Sequence, residues 1–153
     1  MEGLGKSVNI YHVEDGCKHP KPFKEVKTDS KGLSAAWVGK DRIYMAFMGS
    51  IEEPSIEILV FSLYYELIKR IKLDTMIMIS SMTLTPDEKY LICAHLQLRI
   101  SFINTSDFKV TKDSPFADDC DCVWRVAVTD SGTIVFATSD GLYTGKLAEN
   151  GEF

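Results

Sequence analysis

Three segments of this chain are versions of one another. Arg42–Phe47 reads RIYMAF, Tyr90–His95 reads YLICAH and Thr133–Thr138 reads TIVFAT. Each carries an alanine near its end, and those alanines, Ala46, Ala94 and Ala137, lie 48 and 43 residues apart. Self-similarity at such a period marks a repeated supersecondary unit, which buries its apolar surface only by stacking on its neighbours. That requirement excludes more folds than any other property of the sequence.

The units share an internal order. A first apolar burst precedes each segment, at Leu33–Val38, Ile77–Thr85 and Val123–Thr129. It is joined to the segment by the turns Gly39–Asp41, Pro86–Lys89 and Asp130–Gly132. A third burst follows at Ile56–Leu63, Leu98–Asn104 and Leu142–Leu147, and a fourth at Glu66–Leu73 and Phe108–Lys112. Ser7–Val13 and Phe23–Thr28 read as another third and fourth. The bursts are short, rich in Val, Ile, Phe and Tyr, and bounded by turn formers, which is the pattern of an all-β domain. The strand order along the chain is then 3-4, 1-2-3-4, 1-2-3-4, 1-2-3. The segment Tyr65–Leu73 admits two readings. Leu67, Ile68 and Ile71 can share a helical face, or Leu67, Ile71 and Leu73 can share one side of a strand. Its neighbours favour the strand.

The second strands have no polar face, as the run Ile43–Phe47 shows. A sheet wetted on one side alternates between apolar and polar residues, so strands of this kind belong between two other sheets. The alanine at a constant position suits a close approach of those sheets. Trp37 and Trp124, each on a first strand, are expected in the core, with Trp124 sharing a face with Val126 and Val128 and Arg125 pointing the other way.

Four strands repeating at this period resemble the blades of WD40 proteins, whose repeat is about 40–45 residues. Ser30-Lys31-Gly32-Leu33 through Val38 is similar to that family's first strand and its approach. Thr85-Pro86-Asp87-Glu88-Lys89-Tyr90-Leu91 and Thr129-Asp130-Ser131-Gly132 resemble its turn between strands one and two, and Asp140-Gly141 the turn between two and three. The Trp-Asp signature is replaced by Tyr11-His12, Phe61-Ser62 and Asn104-Thr105, and no Gly-His precedes a blade. The resemblance implies a β-propeller of four-stranded antiparallel blades. It divides the chain into blade ends at 1–32, a blade at 33–76, a blade at 77–115 and a partial blade at 116–153. That is about three and a quarter blades, whereas four would need roughly 170 residues at the family's repeat length. The expectation is a segment of a larger ring, completed by further sequence or by another chain.

Composition narrows the setting. Apolar residues make up 45% and charged residues 25% of the 153, as in ordinary globular domains. No apolar run reaches the roughly 20 residues that cross a bilayer, so no membrane contact is expected. Met1–Tyr11 lacks the apolar stretch of a secretory signal, and the four cysteines (Cys17, Cys93, Cys120 and Cys122) form no disulfide framework. The expected location is cytoplasmic or nuclear. The net charge of −5 argues against a general nucleic-acid binder. Nucleic-acid contact is confined, if it exists, to one Lys-rich segment.

That segment carries Lys18, Lys21, Lys24, Lys27 and Lys31 against Glu25 and Asp29. It can meet RNA, an acidic tail or an anionic surface. The blander reading is a solvated edge guarded by lysine. Asp118, Asp119 and Asp121, interleaved with Cys120 and Cys122, form an acidic loop able to take a cation or a basic partner, or simply to sit in water. These lysines and aspartates are the candidate interaction surface. His12, Cys17 and His19 have the chemistry of zinc ligands but lack a paired Cys-x-x-Cys and an evident fourth ligand. Cys93 reads as a small core hydrophobe, and His95 ends a buried strand. No P-loop, nucleophile elbow, Rossmann or His-Glu-x-x-His pattern occurs, and no cofactor is implied.

The favoured expectation is a non-catalytic scaffold binding other proteins in a complex. Its function is implied by the resemblance. The alternative is a small closed barrel carrying an apolar ligand, as lipocalins do, which suits the length but not the two-faced second strands. A propeller enzyme is a third class, for which no residues speak.

Overall fold

The computed structural model describes residues 6–11, 22–28, 32–48, 55–75, 77–97, 99–115 and 122–146. They form thirteen strands: β1 Lys6–Tyr11, β2 Pro22–Thr28, β3 Gly32–Val38, β4 Arg42–Met48, β5 Ile56–Ser62, β6 Leu67–Leu73, β7 Ile79–Leu84, β8 Tyr90–His95, β9 Arg99–Asn104, β10 Val110–Pro115, β11 Val123–Val128, β12 Thr133–Thr138 and β13 Leu142–Lys146. Each strand pairs antiparallel with the next inside its own sheet. The sheets are β1-β2, β3-β4-β5-β6, β7-β8-β9-β10 and β11-β12-β13, which reproduces the predicted strand order. None of the four closes on itself, so the described strands do not make the barrel weighed above.

The core lies between sheets. One face of β3–β6, carrying Tyr44, Ala46, Ile56, Ile58, Val60 and Ile71, packs on Ile79, Met82, Leu84, Leu91, Cys93 and Ile103 of β7–β10. The opposite face of β7–β10, with Ile92, Ala94, Ile100 and Phe102, packs on Val123, Val126, Ile134 and Phe136 of β11–β13. A third cluster, Ile43, Met45, Phe47, Leu59 and Phe61, fills the other face of β3–β6. The first strands run along this stack, β7 lying against both β3 and β11. At the turn after β3 the chain comes close to β7, where a Cβ on Gly39 would stand 2.7 Å from the Leu84 side chain.

The second strands β4 and β8 are buried on both faces, as their composition demands. In β12 only Ile134 and Phe136 are buried, while Val135 and Ala137 are half-exposed. The difference lies in what covers the sheet, not in the residues of the strand.

Every first strand carries a bulge at the same place, between Leu33 and Ala35, Ile79 and Ser81, and Val123 and Arg125. The extra residue is Ser34, Ser80 or Trp124. Ser34 and Ser80 donate to the carbonyls of Ala46 and Ala94, at 3.2 and 3.1 Å. Ser80 also reaches the Val123 carbonyl of the next sheet at 2.7 Å. The bulge breaks the simple alternation on which the placement of Trp124 rested. Trp124 leaves the Val126 face and is 52% exposed, and Trp37 is 39% exposed, so neither is the core residue expected.

Two further expectations are corrected. The segment 65–73 is a strand, with Ile71 and Leu73 buried, but a bulge at Val60/Phe61 puts Leu67 in solvent. The fourth strand of the next unit begins at Val110, not Phe108, because Phe108 takes a left-handed backbone (φ 60) that belongs to the turn.

Candidate interaction surface

The turns between third and fourth strands end alike in the two complete sheets, although the second is one residue longer. The Tyr65 amide closes one on the Ser62 carbonyl, and the Phe108 amide closes the other on the Asn104 carbonyl. Tyr65 (φ 61) and Phe108 (φ 60) share the same unusual conformation. Each ring receives a cation from the preceding sheet. Arg42 of β4 lies 5.4 Å from the Phe108 ring centre and donates to the Thr105 carbonyl at 2.8 Å. Lys24 of β2 lies 5.8 Å from the Tyr65 ring and donates to the Tyr65 carbonyl at 2.9 Å. A cation that both faces a ring and satisfies the end carbonyls of a turn staples one sheet to the next.

This changes the standing of the Lys-rich segment. Lys24 is half-buried and serves the internal contact between sheets. The backbone of Lys27 lies in β2. Lys18, Lys21, Lys31, Asp118, Asp119 and Asp121 lie outside the described residues, as do His12, Cys17 and His19. Among the described residues no group of three or more His, Cys, Asp or Glu side chains is placed to hold a metal.

Near the Arg42 staple the first-to-second turns shape two grooves. One, about 490 Å³, runs over the ends of β3, β7 and β11 and is lined by Trp37, Val38, Pro86, Glu88, Val128 and Asp130 among others. The other, about 480 Å³, is polar and lies between Lys40, Arg42, Asp87, Glu88, Thr105 and Ser106. Thr105 anchors this corner, its hydroxyl donating to the Glu88 carbonyl at 2.6 Å. Burial pushes the Tyr44 phenol above its usual value, against the opposing charge of Arg42. Burial also works to raise the Asp87 carboxyl, but hydrogen bonds from the Thr85 hydroxyl and the Lys89 amide, with the Lys89 charge, outweigh it and leave the group below its usual value.

His95 is fully buried. Its Nδ1 faces the Ile77 carbonyl at 3.0 Å and its Nε2 the Ser101 hydroxyl at 2.8 Å. A neutral imidazole with the proton on Nδ1 satisfies both contacts, so the ring acts as a polar rivet within its sheet.

Among the described residues, the outward face of β11–β13 has no sheet packed on it. Cross-strand pairing puts Arg125, Ala137 and Leu142 in one row and Ala127, Val135 and Thr144 in the next. Leu142 is 74% exposed. Sequence reasoning missed this face because TIVFAT looks as two-sidedly apolar as its sisters. No residue type marks it, since β7, β8 and β9 lack Asp and Glu just as β11, β12 and β13 do. Compared with known proteins, the chain matches no family model, and no curated protein matches its sequence.

Proposed function

We propose that this chain is a non-catalytic protein-interaction scaffold, a run of WD40-like propeller blades acting within a multi-subunit complex in the cytoplasm or nucleus. The observation that carries the reading is the stack itself. Successive antiparallel meanders lie face to face with their first strands together. Such a stack is rigid and displays turns at both ends of its strands, which suits it to gathering partners; the fold alone fixes no activity. The ring is completed by additional blades, from further sequence or from another chain.

The test is a thermal melt combined with light scattering, on the chain alone and with each protein that co-purifies with it. A partner that binds the folded chain at a hundredfold excess over Kd adds about 2.7 kcal/mol of stability and raises the melting temperature accordingly. A cooperative 17.2 kDa monomer whose melt no co-purifying protein shifts would overturn the reading.

A further inference from the structure

We propose that the outer edge of β6 takes an extended segment of a different protein as a fifth strand, a segment with carboxylates at its middle. The inference rests on the scaffold reading and names the surface that does the binding. Its first support is place in the fold. The first strands of the sheets lie together, so β6, the fourth strand of a complete meander, lies at the far side of its sheet. Further blades would stack on sheet faces and leave this edge open. Among the described residues no strand pairs with it, and Leu67, Ile68, Lys69, Arg70 and Lys72 are exposed. An open edge offers a row of backbone donors and acceptors to an added strand.

The second support is what guards the corresponding edge and is missing here. β10, the fourth strand of the next sheet, ends in Pro115, which has no amide to donate, and sets Lys112 beside Asp113. β6 has neither proline nor carboxylate. The turn before it is apolar where its counterpart is polar. Leu63 and Tyr64, 44% and 84% exposed, stand where the next sheet has Thr105, Ser106 and Asp107. With the half-exposed Leu67 and Ile68 they gather apolar surface at the head of the strand, and such patches mark contact sites.

The third support is charge, and it selects the occupant. Lys69 and Lys72 make no ion pair with any described residue. Glu57, opposite Lys72 on β5, gives its carboxylate to Arg70 at 3.2 and 3.3 Å. Two exposed carboxylates, Glu66 and Asp74, flank the strand. The free charges therefore run negative, positive, positive, negative, and their complement is a strand with two central carboxylates and basic or neutral ends. A second copy is not that complement. Antiparallel pairing of β6 with itself about its centre sets Arg70 against Arg70 and Glu66 against Asp74, like charges in both cases.

The test puts the photo-crosslinking residue p-benzoylphenylalanine in place of Ile68 in the full chain, in its native cells, with parallel replacements at Val110 on β10 and at Val38. The expected result is one protein, different from this chain, captured from Ile68. Mass spectrometry of the crosslinked fragment finds a segment with two carboxylates. That segment, made as a synthetic peptide, protects backbone amides of β6 from hydrogen exchange. Its affinity weakens as salt is raised, falls at least tenfold with Lys69→Glu and recovers when one peptide carboxylate is changed to lysine. The variant keeps the wild-type melting temperature. Capture of a second copy alone overturns the proposed occupant, and a captured segment without carboxylates does the same. Peptide binding that leaves the β6 amides unprotected, or that Lys69→Glu does not weaken with the fold intact, overturns the edge. Capture from Val110 or Val38 but not from Ile68 defeats this proposal and leaves the scaffold standing, and no capture from any position counts against both.

Discussion

The sheets β7–β10 and β11–β13 are built from nearly the same instructions and end in different states. Both start with a bulged first strand, both turn on a threonine whose hydroxyl accepts the amide of the second strand's first residue (Tyr90 to Thr85, Thr133 to Thr129), and both continue into a second strand apolar on its two faces. In the first sheet that strand is buried from Leu91 to His95; in the second, Val135 and Ala137 remain half-exposed. The residues are equivalent, so burial here belongs to the stack and not to the strand. A sheet in the middle of such a stack gains area on both faces at about 25 cal/mol per Å² of apolar surface removed from water, and a sheet at its end on one.

Substitutions at equivalent places break or sharpen that contrast. The largest effect is expected at Phe102, buried between β7–β10 and β11–β13. Phe102→Ala removes a ring from a covered core and should cost about 3–5 kcal/mol in denaturant unfolding. Thr144 holds the matching place on the uncovered face, and Thr144→Ala should stay within about 0.5 kcal/mol. Equal costs at the two positions would refute the account of burial given above. Next comes the staple. Arg42→Ala deletes a hydrogen bond to the Thr105 carbonyl and a cation over Phe108, and about 1–2 kcal/mol of stability should go with them. A variant as stable as the parent would show that the corner is decoration. The smallest effect is electrostatic. The folded Asp87 carboxyl titrates below 3.8, so its stabilising contribution is complete above that value and is lost as pH falls through the lower folded value. Asp87→Asn should flatten the acid limb of the stability curve. Ser131, its counterpart in the last sheet, has nothing to titrate, and Ser131→Ala should leave that limb unchanged.

Much of the architecture was legible in the residues, and for a definite reason. Strand composition and turn chemistry are local, so RIYMAF, YLICAH and TIVFAT announce strands wherever they lie, and the turns at Thr85 and Thr129 follow from side chains two to five residues away. Register is different. The bulge at Trp124 in β11 and the one opposite Val60/Phe61 in β6 each insert one residue, and period-two alternation cannot foresee an insertion; hence both the misplaced Trp124 and the exposed Leu67. The left-handed Phe108 was hidden for a related reason, since a bulky aromatic at positive φ runs against local preference and is held there by a cation from another sheet. The candidate surface was the least legible part. Lys24 looked solvent-facing because the carbonyls that receive it lie some forty residues on, in the turn at Tyr64 and Tyr65. The uncovered face of β11–β13 is a property of what is missing beside it, which a residue cannot report about itself.

One feature of the stack reaches beyond its shape. Each interface joins a sheet to the sheet that follows it along the chain, so the molecule behaves as a one-dimensional array with nearest-neighbour couplings. In such an array cooperativity is finite and the ends fray. Amide hydrogens of β12 should exchange through local openings far cheaper than those that expose β8, and protection should rise from the last sheet toward the middle. A further blade seated on β11–β13, as the proposed ring requires, would give that sheet a neighbour on both faces, suppress its fraying, and be readable in the exchange rate of strands it never touches.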